Sequence, residues 1–187
     1  MDSLELLRAA GWYPGRQVDT SAAEHALLRA GYPLHDAASA VLAEFSGLTI
    51  TGPEYFIDGH NGRLRCQRQL WIDGERAAVE LEDSVACEGY SEAIGDTLVP
   101  VGYEHPVTFL IGEKGAVWGV FDGWYNIAAD SFVAAVAKIL VPSDEERPPP
   151  RQVPVDPAIM EMFRQQRLEE ERRNQQRGWR RFWGRHK

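Results

Sequence analysis

Along the chain, apolar positions recur first at helical spacing and later at strand spacing. Leu4, Leu6 and Leu7 lead to Gly11, which predicts a first helix, and Gly11-Trp12-Tyr13-Pro14-Gly15-Arg16 reads as a loop. Ser21 and Glu24 have capping-box spacing, and Ala23, Ala26, Leu27 and Ala30 form the stripe of a second helix that stops at Gly31. Ala37, Ala38, Val41, Leu42 and Phe45 mark a third helix from about Leu34 to Phe45, with Gly47 beyond its end. Strand signals then take over at Leu48-Thr49-Ile50 and Tyr55-Phe56-Ile57, followed by the turn cluster Asp58-Gly59-His60-Asn61-Gly62.

Asp73-Gly74, between Ile72 and Glu75, has the form of a two-residue hairpin turn. That register sets Leu70 opposite Ala77 and Cys66 opposite Leu81, and it pairs Trp71 with Arg76 and Arg65 with Glu82 on the other face. Arg68 interrupts the apolar side, so either its head reaches an edge or a bulge shifts the register. Asp83 or Ser84 starts a helix through Ile94 that Gly95 closes. In Leu98-Val99-Pro100-Val101-Gly102 the proline predicts an edge strand or a bulge. Val107–Ile111 and Ala116–Phe121 flank Gly112-Glu113-Lys114-Gly115 and are apolar on both faces, as central strands are. Asp130 or Ser131 caps a last core helix carrying Phe132, Val133, Val136, Ile139 and Leu140. There is no internal repeat. The pattern divides the chain into a body (1–142), a Pro-rich linker (143–157) and a basic, aromatic C-terminal extension (158–187), helical or flexible.

Of the 187 residues, 44% are hydrophobic and 26% charged, which suits a globular protein and excludes fibrous and wholly disordered classes. The net charge of -8 conceals two opposite regions. Residues 1–150 hold 10 basic and 23 acidic side chains, a net of -13, whereas 151–187 hold 10 and 5, a net of +5. An acidic body repels nucleic-acid phosphates and attracts basic proteins. No stretch of about 18 apolar residues predicts a spanning helix, the N-terminal residues lack the pattern of a secretory signal, and two cysteines suit reduced thiols, so a cytoplasmic location is expected.

Chemical motifs are sparse. The histidines at 25, 35, 60, 105 and 186 have no metal-ligand spacing and read as surface or loop residues; Cys66 and Cys87 form no CxxC, and Cys66 reads as buried packing. There is no phosphate loop and no nucleophile elbow, so neither a metal, a cofactor nor catalysis is expected. Two features remain. The segment from Glu75 to Asp96 is strongly acidic, and Glu80, Glu82, Asp83, Glu88 and Glu92 are its candidate binding residues, with Glu88 and Glu92 at i,i+4 on one helix face. The second is the tail, where Trp179, Phe182 and Trp183 form a stripe among Arg180, Arg181 and further arginines. Such a tail suits an anionic membrane surface, nucleic acid, docking on the acidic body, or a mobile extension.

Several local patterns together resemble the SUKH superfamily, most closely its third subgroup of bacterial immunity proteins. They are Ala10-Gly11-Trp12 with Gly15-Arg16, Phe45-Ser46-Gly47-Leu48-Thr49-Ile50 after a helix, Ile94-Gly95 before Leu98-Val99-Pro100-Val101-Gly102, and Gly115-Ala116-Val117 before the final helix. The resemblance spans about residues 4–142 and implies an α+β fold, a mixed, strongly bent β-sheet with packed helices. It also implies a binding scaffold that neutralises a cognate toxin domain of a polymorphic toxin system, often a nuclease or nucleic-acid deaminase. It carries over no catalytic residues. A protein-interaction adaptor, or peripheral attachment to anionic membrane or nucleic acid through the tail, is the alternative, and the oligomeric state is open.

Overall fold

The structure, a computed structural model, describes residues 1–59, 62–81, 84–142 and 149–153. In chain order its elements are α1 (Ser3–Ala9), α2 (Ser21–Arg29), α3 (Asp36–Phe45), β1 (Thr49–Thr51), β2 (Tyr55–Gly59), β3 (Gly62–Cys66) and β4 (Gln69–Trp71). There follow α4 (Gly74–Glu80), α5 (Ser84–Ile94), β5 (Leu98–Glu104), β6 (Val107–Gly112), β7 (Val117–Phe121), β8 (Trp124–Ala129), α6 (Phe132–Leu140) and β9 (Arg151–Gln152).

The first three helices form where the apolar stripes predict them, and their ends are fixed by specific side chains. Asp2 accepts from the Glu5 amide while Glu5 accepts from the Asp2 amide, each at 2.8 Å, closing a capping box on α1. On α2 the expected Ser21 cap is displaced by one residue. Asp19 accepts from both the amide and the hydroxyl of Ser21, so Ser21 becomes the first helical residue and Thr20 the cap. Those same bonds hold the Asp19 carboxyl below its ordinary pKa.

His35, expected as a loop or surface side chain, is the half-buried N-cap of α3, which therefore starts at Asp36 rather than Leu34. Its Nδ1 accepts from the Ala38 amide, leaving Nε2 as the donor towards the carbonyls of Thr97 (3.2 Å) and Ile111 (3.3 Å). One side chain thus ties the helix to β6 and to the residue just before β5. The Trp-Tyr-Pro-Gly-Arg loop serves the other end of α3. Arg16 donates to the carbonyls of Glu44 (2.5 Å) and Ser46 (2.7 Å), and the Trp12 indole donates to the Glu44 carboxylate at 2.9 Å. A cation on the last carbonyls of a helix opposes the negative end of its dipole.

β1, β4, β5, β6, β7, β8 and β9 lie side by side in that order, while β2 and β3 pair separately. The α+β class is as expected, but every pairing between described strands is antiparallel, so the sheet is not the mixed one implied by the resemblance. Pro100 sits in an interior strand, and of its two predicted placements it takes the bulge: the register shifts between Pro100 and Gly102. Leu42, Phe45, Ile50, Leu70, Leu98, Leu110 and Leu140 belong to one buried core between sheet and helices.

The hairpin expected at Asp73-Gly74 does not form. Asp73 accepts from the Arg76 amide at 2.9 Å and caps α4, so the residues expected as a return strand are helical. Gly74 is needed for closeness and not for a turn. A Cβ there would lie 3.1 Å from the Leu42 side chain, 3.2 Å from Leu27 and 3.3 Å from the Pro100 carbonyl. Leu70 consequently pairs with Ile50, Trp71 stacks on Tyr103 at 5.2 Å, and Arg65 lies opposite Phe56 and bridges Glu54 at 3.4 Å. Cys66, expected in the core, is half-buried across from Tyr55. The Arg68 guanidinium donates to the Ile139 carbonyl at 2.8 Å, which accounts for a cation beside apolar neighbours.

Two strands were not foreseen. Asp122 and Gly123, both at positive φ, turn β7 into β8. Arg151 and Gln152, expected in the linker, pair with Tyr125 and Trp124 as an edge strand, and the compact body runs from Met1 to Val153. Residues 143–148 and 154–157 of the linker, and the extension, lie outside the described residues, as do Glu82, Asp83, Trp179, Arg180, Arg181, Phe182 and Trp183.

Candidate partner-binding surface

The helical path of 74–80 redistributes the acidic residues. Gly74, Ala77 and Leu81 are buried at i, i+3, i+7 spacing, which turns Glu75, Ala78 and Val79 towards α2 and leaves Glu80 on the opposite side. Glu80 is engaged there: its carboxylate meets Arg76 at 2.6 Å and lies 3.7 Å from the exposed His105 imidazole. Glu88 and Glu92 are both exposed one turn apart on α5. The described members of the predicted set thus fall on two surfaces, with Glu80 apart from Glu88 and Glu92.

Between α2, α4 and the start of α5 lies an open groove of about 480 Å³. Ala26 and Ala30 supply its α2 side, Ala78 and Val79 its α4 side, and Arg29 and Glu75 its charges. Tyr32 holds the walls in place from beneath: it is buried, and its hydroxyl donates to the Ala78 carbonyl at 3.4 Å. Gly31 presses on Ser84, whose Oγ would be 3.1 Å from a Cβ at that position. Tyr32 and Ser84 also line a separate, smaller cavity of about 150 Å³ that Glu88 borders. Asp96 at its far end is committed to the fold, accepting from the amides of Thr97 (2.9 Å) and Glu113 (3.2 Å).

The hairpin reading hides the groove, because a return strand after Gly74 sets Val79 on the apolar side with Ala77 and Leu81. In the helix it is 61% exposed. The signal that would have found it is the Asp-x-x-Arg cap spacing followed by buried Gly74, Ala77 and Leu81 at helical intervals.

Two other apolar areas are exposed. One is a hollow of about 440 Å³ on the sheet, bordered by Val107 and Gly119, where Phe121 and Trp124 are 48% and 42% exposed; none of the described residues that line it is charged. The other is the β2–β3 arm, whose register puts Tyr55, Ile57, Leu64 and Cys66 on one face. Elsewhere the reactive groups are quiet. Burial pushes the Cys87 thiol up to about 12, and the thiol donates to the Leu98 carbonyl, which makes it a poor nucleophile. Among the described residues no group of His, Cys, Asp and Glu is arranged to hold a metal. No helix there is long and apolar enough to cross a membrane.

An α+β body of net acidic charge, offering a partly apolar groove between helices, has the features of a protein-binding scaffold. The family model described as SUKH-3 immunity protein matches residues 2–141, and the chain belongs to that family. No match was found among curated proteins or among solved structures.

Proposed function

We propose that this protein is a cytoplasmic, non-catalytic immunity protein. It binds a cognate toxin domain of a polymorphic toxin system, one that acts on nucleic acid as a nuclease or deaminase, and neutralises it by forming a complex. Membership of the SUKH-3 immunity family carries this reading. The acidic body supports it, because a domain built to grip phosphates is basic and meets a surface of opposite charge. In this reading Glu80, Glu82, Asp83, Glu88 and Glu92 contribute to the toxin-facing side. Glu88 and Glu92, exposed and without an ion pair among the described residues, steer the encounter more than they hold the complex.

Co-expression with the toxin domain encoded beside this chain's gene, scored by survival and co-purification, tests the function. Death despite soluble expression rejects immunity against that toxin. Glu88→Lys with Glu92→Lys is expected to slow association about tenfold at low salt and to weaken its salt dependence. Unchanged neutralisation with an unchanged salt slope removes these two residues from the interface.

A further inference from the structure

We infer that the groove between α2 and α4 is where the toxin's side chains insert, and that it takes an apolar ridge flanked by lysine or arginine. The inference rests on the immunity reading above and adds to it the place and the chemistry of contact. Three exposed apolar areas among the described residues compete, and charge separates them. Among the described residues the sheet hollow has no charged lining residue, and the apolar face of the β2–β3 arm carries no carboxylate and has the Arg68 guanidinium over its Tyr55 ring. Of the three, among the described residues, only the α2–α4 groove has a carboxylate, Glu75, in its wall, and Glu88 borders the adjoining cavity that shares Tyr32 and Ser84 with it. A basic partner drawn to the net charge of -13 over residues 1–150 therefore meets at this groove, and not at the other two areas, a carboxylate beside apolar surface.

The shape fits the same occupant. Ala26 and Ala30, one helical turn apart, and Ala78 opposite them present methyl groups only, so a partner backbone can approach closely. Val79 stands at the side with most of its surface in water, and covering it recovers hydrophobic free energy that the free protein forgoes. An aliphatic or aromatic side chain occupies a space of about 480 Å³ without displacing the core, since buried Tyr32 and Leu27 already close it from below. Basic side chains on either side of that ridge reach Glu75 and Glu88. Arg29, the lining cation, repels a partner whose charge is placed wrongly and so contributes to choice among related toxins.

The test uses the full chain and the toxin domain encoded beside its gene, inactivated for titration. Val79→Arg is expected to weaken binding about 30-fold or more, the loss typical of a central contact, and chiefly by faster dissociation. Phe121→Arg, in the sheet hollow, is expected to leave affinity within about threefold as the matched control. Hydrogen exchange on the wild-type complex gives a readout independent of any variant, with new protection expected in 21–29 and 74–80. Wild-type binding that survives Val79→Arg, or protection falling on the sheet hollow or the arm, overturns the groove while leaving immunity intact. Absence of wild-type binding overturns both.

Discussion

Asp-Gly occurs at 58, 73 and 122, and the three copies show how much neighbouring residues decide. At 122–123 both residues have positive φ (46° and 78°), as a tight hairpin turn requires, and Phe121 pairs with Trp124 across them. At 73 the same dipeptide caps a helix, because Asp73 reaches the Arg76 amide and Gly74 fits against Leu27 and Leu42. The residues after it, Glu75-Arg76-Ala77-Ala78, favour helix, and Arg76 and Glu80 pair at i,i+4. Period-2 apolar residues Ala77, Val79 and Leu81 masked this. Asp73→Ala is expected to cost about 1 kcal/mol in urea denaturation and Asp73→Asn much less, since both Asp and Asn cap well. Equal losses would deny the side chain its capping role. Cys87 gives a second check at this scale. Its thiol, ordinarily at 9.0, is pushed by burial up to about 12 in the folded chain, which keeps a proton that the unfolded chain sheds. This group's contribution to stability is therefore complete below about pH 9 and declines towards pH 12, by at most about 1.4 kcal/mol per pH unit. Burial raises Tyr90 as well and adds loss in the same direction. Chemical denaturation from pH 8 to 11 should show the decline, and a Cys87→Ala variant should flatten part of it; an unaltered slope would assign it to other groups.

At the scale of elements, strong apolar stripes were legible and their partners were not. The stripes of α1, α3, α5 and α6 and the central β6–β7 hairpin are where the pattern places them, since long amphipathic segments bury one face wherever they pack. β8 went unread because Trp124, Ile127 and the alanines follow no clean alternation: it lies between β7 and β9, partly exposed at the sheet hollow. β9 is two residues long and exists through its pairing alone. The acidic candidates were legible as a set, while the separation of Glu80, paired with Arg76 on α4, from Glu88 and Glu92 on α5 follows from the helical path of 74–80 and was not. The resemblance motif of Gly11, Trp12, Gly15 and Arg16 proves to be a clasp on α3, with Trp12 stacked on Phe45 at 6.2 Å. Arg16→Ala removes charged bonds to two carbonyls at once and should destabilise the fold by about 2–3 kcal/mol. Arg16→Lys, with one ammonium for two acceptors, should recover part of it. Thermal melts of the three proteins read this directly, and an Arg16→Ala midpoint equal to wild type would remove the clasp from the stability of α3.

For the whole molecule, charge distribution and local shape make separable contributions to the proposed complex. A net of -13 over residues 1–150 acts through solvent over the Debye length, which shortens from about 30 Å at 0.01 M salt to about 3 Å at 1 M. The groove acts only on contact. Association of the full chain with the toxin domain should therefore slow at least tenfold between about 0.02 and 0.5 M salt, with dissociation changing about threefold or less. The variants should divide along the same line. Glu88→Lys with Glu92→Lys flattens the salt dependence of association, whereas Val79→Arg raises dissociation at every salt concentration. Stopped-flow mixing across a salt series measures both rates on one set of proteins. A salt effect confined to dissociation would mean that the carboxylates act as buried contacts and not as a steering field. A Val79→Arg defect that vanishes at high salt would mean that the added charge, and not the blocked groove, caused it.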